Sequence, residues 1–286
     1  MHCHEGKKVS IIGTGNVGAT VCYWLSMRKK CREIVMIDRH GVVAHGKALD
    51  ILQATSPEGS HTQIYNSTDY AMIEDSDVVV VTAGATRKPG MSRDDLLLMN
   101  ATITQKVIQE VRKYAPNAIV IMVSNPLDAM TYVAIKAGCY PHNQVIGMAG
   151  ILDSSRMETF ISEKLGFGYG QITASVMGGH GDDMVPLADF STVAGVKLDE
   201  LLSKEDVDDI VNKTKNGGAQ IVKLLETGSA YYAPGYSTAL MVEAILTDSK
   251  ETYPCAVMLK GEYGYENIVA GVPVTLGKDG FEKIVE

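Results

Sequence analysis

His180 sits between glycines in the stretch MGGHGDDMVP, directly after an apolar run, and Asp153 and Arg156 lie three residues apart in ILDSSRME. Two further arginines, Arg87 and Arg93, share the short stretch ATRKPGMSRDD, which follows a run of four valines and holds both a proline and a glycine. Asn125 and Pro126 close another apolar run, in VSNPLD. Taken singly, each has a plainer reading: a turn histidine, a helix-surface ion pair, two solvated charges. Taken together, they are what an alcohol oxidation beside a carboxylate requires. A histidine titrates near neutral pH and can accept the hydroxyl proton. A carboxylate such as Asp153 can fix the histidine tautomer and stabilise the imidazolium. Planar guanidinium groups hold carboxylates by two parallel hydrogen bonds, which lysine does poorly.

Such a reaction needs an electron acceptor, and VSIIGTGNVGA offers it a seat. Gly13, Gly15 and Gly18 have GxGxxG spacing between a buried strand and a helix. In that setting the first glycine permits a tight turn, the second admits a pyrophosphate and the third lets helix and strand pack closely. The helix N-terminus then turns unpaired N–H groups toward the anion. Asp38 follows Gly18 by twenty residues, at the end of the second strand, where a carboxylate accepts both ribose hydroxyls and repels a 2′-phosphate. This favours NAD over NADP, although Arg39 next to it tempers the exclusion. Glycine turns are common, and enzymes of FAD and of methyl donors use similar loops, so the motif draws its weight from its strand–turn–helix setting.

The elements that must position these groups alternate. KKVSII, EIVMID, DVVVVTAG, AIVIMVSN and QVIGMAG are predicted strands, with a weaker one at QIYNST. Helices are predicted near 17–29, 45–54, 93–114 and 128–137. Continuous apolar strands suit a parallel sheet buried on both faces, and the alternation predicts an α/β doubly wound sheet of Rossmann type over residues 1–148. Ser92 is placed to cap the third helix, and the Asn125–Pro126 peptide is a candidate for cis. Residues 149–286 read as a second, α+β domain packed on the first. Its predicted elements are a helix near 152–165, strands at ITASVMG and MVPLADFSTV, and a helical region near 198–227 interrupted by Gly217-Gly218. A helix near 236–247 and strands at CAVMLKGEYG and IVAGVPVTLG follow.

The 286 residues are 45% apolar and 21% charged, enough for a sizeable core in one large or two modest domains. A net charge of −8 argues against nucleic acid as the main partner. No apolar stretch approaches membrane-spanning length, and VSIIG is too short for a signal-peptide core. Five scattered cysteines suit reduced thiols in a cytoplasm. The His2-Cys3-His4 triplet reads as a frayed terminus rather than a metal site, so no metal is expected.

GTGNVG, Asp38, ATRKPGMSRDDLL, VSNPLD, LDSSR and GGHGD, in this order and at these intervals, resemble the lactate/malate dehydrogenase family. Within it, they resemble the lactate-dehydrogenase-like, NAD-dependent malate dehydrogenases of prokaryotes. The resemblance runs from about residue 7 to the end, through GSAYYAPGYS and GVPVTLG. It implies His180 as proton acceptor, Asp153 as its orienting partner and Arg156 as the clamp on the C1 carboxylate. Arg93 would polarise the C2 oxygen from a mobile loop, and Asn125 would bond the substrate. The cofactor would meet Gly13, Thr14, Gly15, Asn16, Val17, Gly18 and Asp38, with Asn100, Val123, Ser124 and Asn125 lining its site. Arg87 stands where lactate enzymes of the family carry an uncharged residue, so the implied substrate is a dicarboxylate, (S)-malate or oxaloacetate. The resemblance also implies a closing helix beyond the point at which this sequence stops, and a homo-oligomer, tetramer or dimer. Val21, Trp24, Leu25, Leu49 and Leu52 could serve that interface, and would serve a core equally well. A lactate or broader 2-hydroxyacid dehydrogenase is the alternative reading, and a non-catalytic NAD-binding subunit the alternative of another class.

Overall fold

The computed structural model describes residues 6–86 and 92–286; Arg87 and the His2-Cys3-His4 triplet lie outside the described residues. Six strands form the first half: β1 (Lys8–Ile12), β2 (Glu33–Ile37), β3 (Gln63–Ser67), β4 (Val78–Val81), β5 (Ile119–Met122) and β6 (Val145–Gly147). They pair in parallel in the order 3-2-1-4-5-6. All six predicted strands are present. The helices α1 (Asn16–Met27), α2 (Gly41–Thr55), α3 (Arg93–Tyr114) and α4 (Leu127–Gly138) connect them, close to the predicted spans.

The valine run shows why these strands read as continuous rather than alternating. Val78 and Val80 feed one apolar core, while Val79 and Val81 feed the core on the opposite face. Ile119 and Ile121 divide from Val120 and Met122 in the same way. With both faces covered, every position is apolar. Strand order reverses between β1 and β4, so the crevice for a ligand opens at the C-terminal ends of the strands beside them.

The second half comprises α5 (Gly150–Leu165), β7 (Ile172–Thr173), β8 (Val176–Gly178), β9 (Met184–Pro186), β10 (Thr192–Val193) and β11 (Val196–Lys197). After these come α6 (Leu198–Leu201), α7 (Lys204–Leu225), α8 (Tyr232–Thr247), β12 (Thr252–Lys260), β13 (Glu266–Gly277) and β14 (Gly280–Ile284). It is not merely packed on the first half. Ala256 of β12 pairs antiparallel with Gly147 of β6, and the sheet continues through β13, β8 and β9, giving eleven strands among the described residues. Helix α8 covers the same face as α1 and contributes Met241, Val242 and Ile245 to the shared core.

The structure departs from the expected elements, or decides between open readings, at several points. MVPLADFSTV is two strands rather than one, because β9 ends at Pro186, which has no N–H for a ladder, and a 3-10 turn at Ala188–Phe190 follows. Gly217-Gly218 does not interrupt its helix: α7 runs unbroken to Leu225 with the Arg156 side chain lying against the pair. The terminal FEKI is a strand, β14, hydrogen-bonded to β13. Finally, Val21 and Leu25 are fully buried in the chain's own core, whereas Leu49 and Leu52 are exposed.

Candidate active site

The glycine-rich loop leaves β1 and enters α1 with no room to spare on two sides. A Cβ on Gly13, whose φ is +94°, would lie 2.7 Å from the Ala83 nitrogen, and one on Gly18 would lie 2.1 Å from the Gly13 oxygen. The direction from Gly15 is open space. Two glycines therefore close the turn, and the third faces outward where a pyrophosphate can approach. Helix α1 begins at Asn16 with no side-chain cap and no acidic residue in its first turn, so its N-terminus is left to an external anion.

Asp38 stands beside this loop at the end of β2. Its Oδ2 accepts from the Thr14 N–H (2.7 Å) and the Thr14 hydroxyl (3.0 Å), and Oδ1 accepts from the His40 N–H (2.9 Å). Burial pushes its pKa up, yet these donors outweigh it and hold the carboxyl below its ordinary value. An ionised carboxylate with one oxygen only singly engaged fits a ribose diol. The residues present thus fit a dinucleotide.

The loops after β4 and β5 are tied together rather than left open. Asn100 of α3, 2% exposed, accepts from the Ala85 N–H (2.7 Å) and donates to the Asn125 carbonyl (2.7 Å). Ser124 donates to the Ala83 carbonyl (2.7 Å), and the Val123 side chain belongs to the apolar core. Asn100 and Ser124 are in this structure struts between strand ends. Asn125 is exposed at that edge, and its bond to Pro126 is cis, as expected.

Across the crevice, Asp153 lies in the first turn of α5 and is 1% exposed. Its Oδ2 meets His180 Nδ1 at 2.8 Å and its Oδ1 accepts from Arg156 Nη1 at 2.7 Å. A carboxylate that takes the Nδ1–H leaves Nε2 as the free, basic nitrogen of His180. Arg156 spends Nη1 on Asp153, while its Nε is buried with no hydrogen-bond partner among the described residues. A buried donor without a partner marks a place where a ligand acceptor belongs. The Nε and Nη2 edge of a guanidinium is a fork for a carboxylate.

Two acidic residues missed by the sequence reading complete the surroundings. Asp128, in the first turn of α4, accepts the backbone N–H of His180 at 2.8 Å; burial raises its carboxyl pKa, and its other oxygen is without a partner among the described residues. Its only signal in the sequence is its place three residues after Asn125. Asp182 pairs with Arg93 at 3.3 Å, an exposed contact that brings the start of α3 beside the His180 turn. Of the expected site, then, His180, Asp153 and Arg156 form one hydrogen-bonded group, with Arg93 next to its turn. The Gly13–Gly18 loop and Asp38 form a second group. Among the described residues no group of three or more His, Cys, Asp or Glu is arranged to hold a metal ion.

Residues 7–147 match the family model for the lactate/malate dehydrogenase NAD binding domain, and residues 151–286 match the model for the alpha/beta C-terminal domain of the same family. The chain belongs to the lactate/malate dehydrogenase family. Its cofactor is NAD. Among this family's members, a malate dehydrogenase of Sulfurimonas denitrificans is 62% identical over 283 residues, which span 99% of this chain and 89% of that protein. The crystal structure of Cryptosporidium parvum malate dehydrogenase superposes with a TM-score of 0.94 at 42% identity, covering 98% of this chain and 90% of that one. A lactate dehydrogenase of Eimeria maxima, solved with NADH and oxamate, gives the same TM-score at 38% identity, covering 98% of this chain and 86% of that one.

Proposed function

We propose that this chain is an NAD-dependent malate dehydrogenase that interconverts (S)-malate and oxaloacetate. The observation that carries the reading is the sharing of Asp153, buried, between His180 Nδ1 and Arg156 Nη1, with Arg156 Nε unpaired. Bound NAD supplies the hydride acceptor. His180 takes the hydroxyl proton on Nε2 while Asp153 stabilises the resulting imidazolium. Arg156 receives the C1 carboxylate on its free edge. Arg93 draws charge from the C2 oxygen, and Asn125 offers a further hydrogen bond. The shared Asp153 speaks against a silent NAD-binding subunit, which would have no use for a histidine held by a buried carboxylate in this way.

Malate rather than lactate rests on Arg87, whose charge answers the distal carboxylate of a four-carbon substrate, and on the name of the 62%-identical relative. We further assign residues 1–148 to cofactor binding and 149–286 to substrate binding, and place the protein in the cytoplasm; no helix among the described residues is long and apolar enough to cross a membrane. Self-association into a dimer or tetramer is favoured by α2, where Val42 is 89% exposed and Val43, Leu49 and Leu52 are exposed as well.

The test is oxidation of NADH followed with oxaloacetate and with pyruvate. Wild type should favour oxaloacetate. Arg87→Gln should lose ~10²-fold or more with oxaloacetate and keep or improve its turnover of pyruvate, since a charge-assisted bond contributes about 1.5–3 kcal/mol and leaving a buried carboxylate unpaired costs more. Equal losses on both substrates would remove the malate assignment and favour a general 2-hydroxyacid dehydrogenase.

A further inference from the structure

Lys47 lies on α2, outside both groups described above, on the helix face that carries the buried Ala44, Ala48 and Ile51. Its ammonium donates to the carbonyl oxygen of Thr14, the residue between the first two glycines of the loop, at 2.7 Å. Thr14 is 2% exposed and is held from its other side by Asp38, which accepts both its N–H and its hydroxyl. Thr14 is thus gripped at three points, and Lys47 holds the one that belongs to the Thr14–Gly15 peptide, its carbonyl. In a planar trans peptide the N–H points away from the C=O. Turning the Thr14 carbonyl toward Lys47 therefore turns the Gly15 N–H the opposite way. Lys47 forms no ion pair among the described residues.

We propose that Lys47 is a cofactor-positioning residue, which orients the Thr14–Gly15 peptide for the pyrophosphate and adds a fixed positive charge behind it. The role rests on the reading of this loop as the NAD seat. It differs from that of Asp38, because it concerns the diphosphate and not the ribose. Removal of the ammonium should be felt by any ligand that carries the diphosphate and ignored by one that carries only the nucleoside.

The experiment measures equilibrium binding of NADH by fluorescence, and of ADP-ribose and adenosine by competition, on wild type, Lys47→Met and Lys47→Arg. Thermal unfolding is recorded alongside. Lys47→Met should weaken NADH and ADP-ribose at least about tenfold, the scale of one lost hydrogen bond to a charged group. Adenosine should stay within about twofold and the melting temperature within a few degrees, because Lys47 is a half-buried helix residue and Met is a good helix former. Lys47→Arg should recover most of the loss. Unchanged affinity of Lys47→Met for ADP-ribose would overturn the proposal, as would an equal loss on all three ligands with a lowered melting temperature, which is the signature of a structural role. Wild-type protein that binds neither NADH nor ADP-ribose would instead overturn the cofactor reading itself, and this role with it.

Discussion

At the scale of single residues, the proposed function divides the chemistry between His180 and Asp38. His180→Asn keeps a hydrogen-bonding side chain but removes the proton acceptor. Turnover should fall by at least ~10²–10⁴-fold while NADH affinity stays near wild type; a variant that retains more than about a tenth of the activity would refute the assignment. Asp38→Ala should admit NADP, and wild type that uses NADP as readily as NAD would count against this reading of Asp38. Asp38 also carries a pH signature. Burial raises its pKa, but the His40 N–H and the Thr14 N–H and hydroxyl together leave it below the ordinary value. Its stabilising contribution is therefore complete above the unfolded carboxylate pKa, near 4, and is lost as the pH falls through the lower folded value. Asp38→Ala should be less stable by about 1–3 kcal/mol at pH 7. Chemical denaturation should show that gap to wild type narrowing below about pH 4, and a gap that persists there would mean the hydrogen bonds do not depend on the charge.

At the scale of elements, α7 holds the clearest trade. Two glycines inside a helix cost about 1 kcal/mol each relative to alanine. Here a Cβ on Gly217 would stand 3.3 Å from Arg156 Cδ, and one on Gly218 would stand 3.4 Å from Arg156 Nη2. The pair leaves the guanidinium room against the helix. Gly218→Ala should raise the melting temperature by about 2–4 °C and raise KM for oxaloacetate, as the added methyl restricts the clamp. A stabilised variant with unaltered KM would show that the glycines serve packing alone. The first half was legible because its local signals agree: the apolar runs, the GxGxxG turn and the Ser92 cap, which forms the full capping box with Asp95. The glycine pair misled because its meaning depends on Arg156, more than sixty residues earlier in the chain. Asp128 and Lys47 escaped for a similar reason. Each looks like an ordinary helix charge until the fold brings it against the backbone of a distant loop.

At the scale of the whole molecule, no described residue covers the exposed side chains of α2. Val42, Val43, Leu49 and Leu52 lie on the helix whose other face packs into the core. Between α1 and α2 lies a cavity of about 510 Å³ whose lining includes Tyr23, Trp24, Tyr231 and Tyr232. A single chain gains nothing from presenting so much apolar surface to water. Light scattering should give a mass of two or four chains for wild type. Leu49→Lys should shift that mass toward the monomer while leaving the far-ultraviolet circular dichroism unchanged. A monomeric wild type would end the interface reading. The sequence reading singled out Leu49 and Leu52, but helical periodicity alone did not say which of its five apolar residues face inward, and Val21 and Leu25 proved to be core.

The single pairing of Ala256 with Gly147 has a mechanical meaning. It welds the two halves into one plank, and α5, which begins three residues after Gly147, is bolted to the joint. His180 and the glycine-rich loop thus stand on the same beam. The floor of the crevice is one continuous sheet. A loop that comes down over the substrate would act like the moving jaw of a vice whose fixed jaw is the sheet.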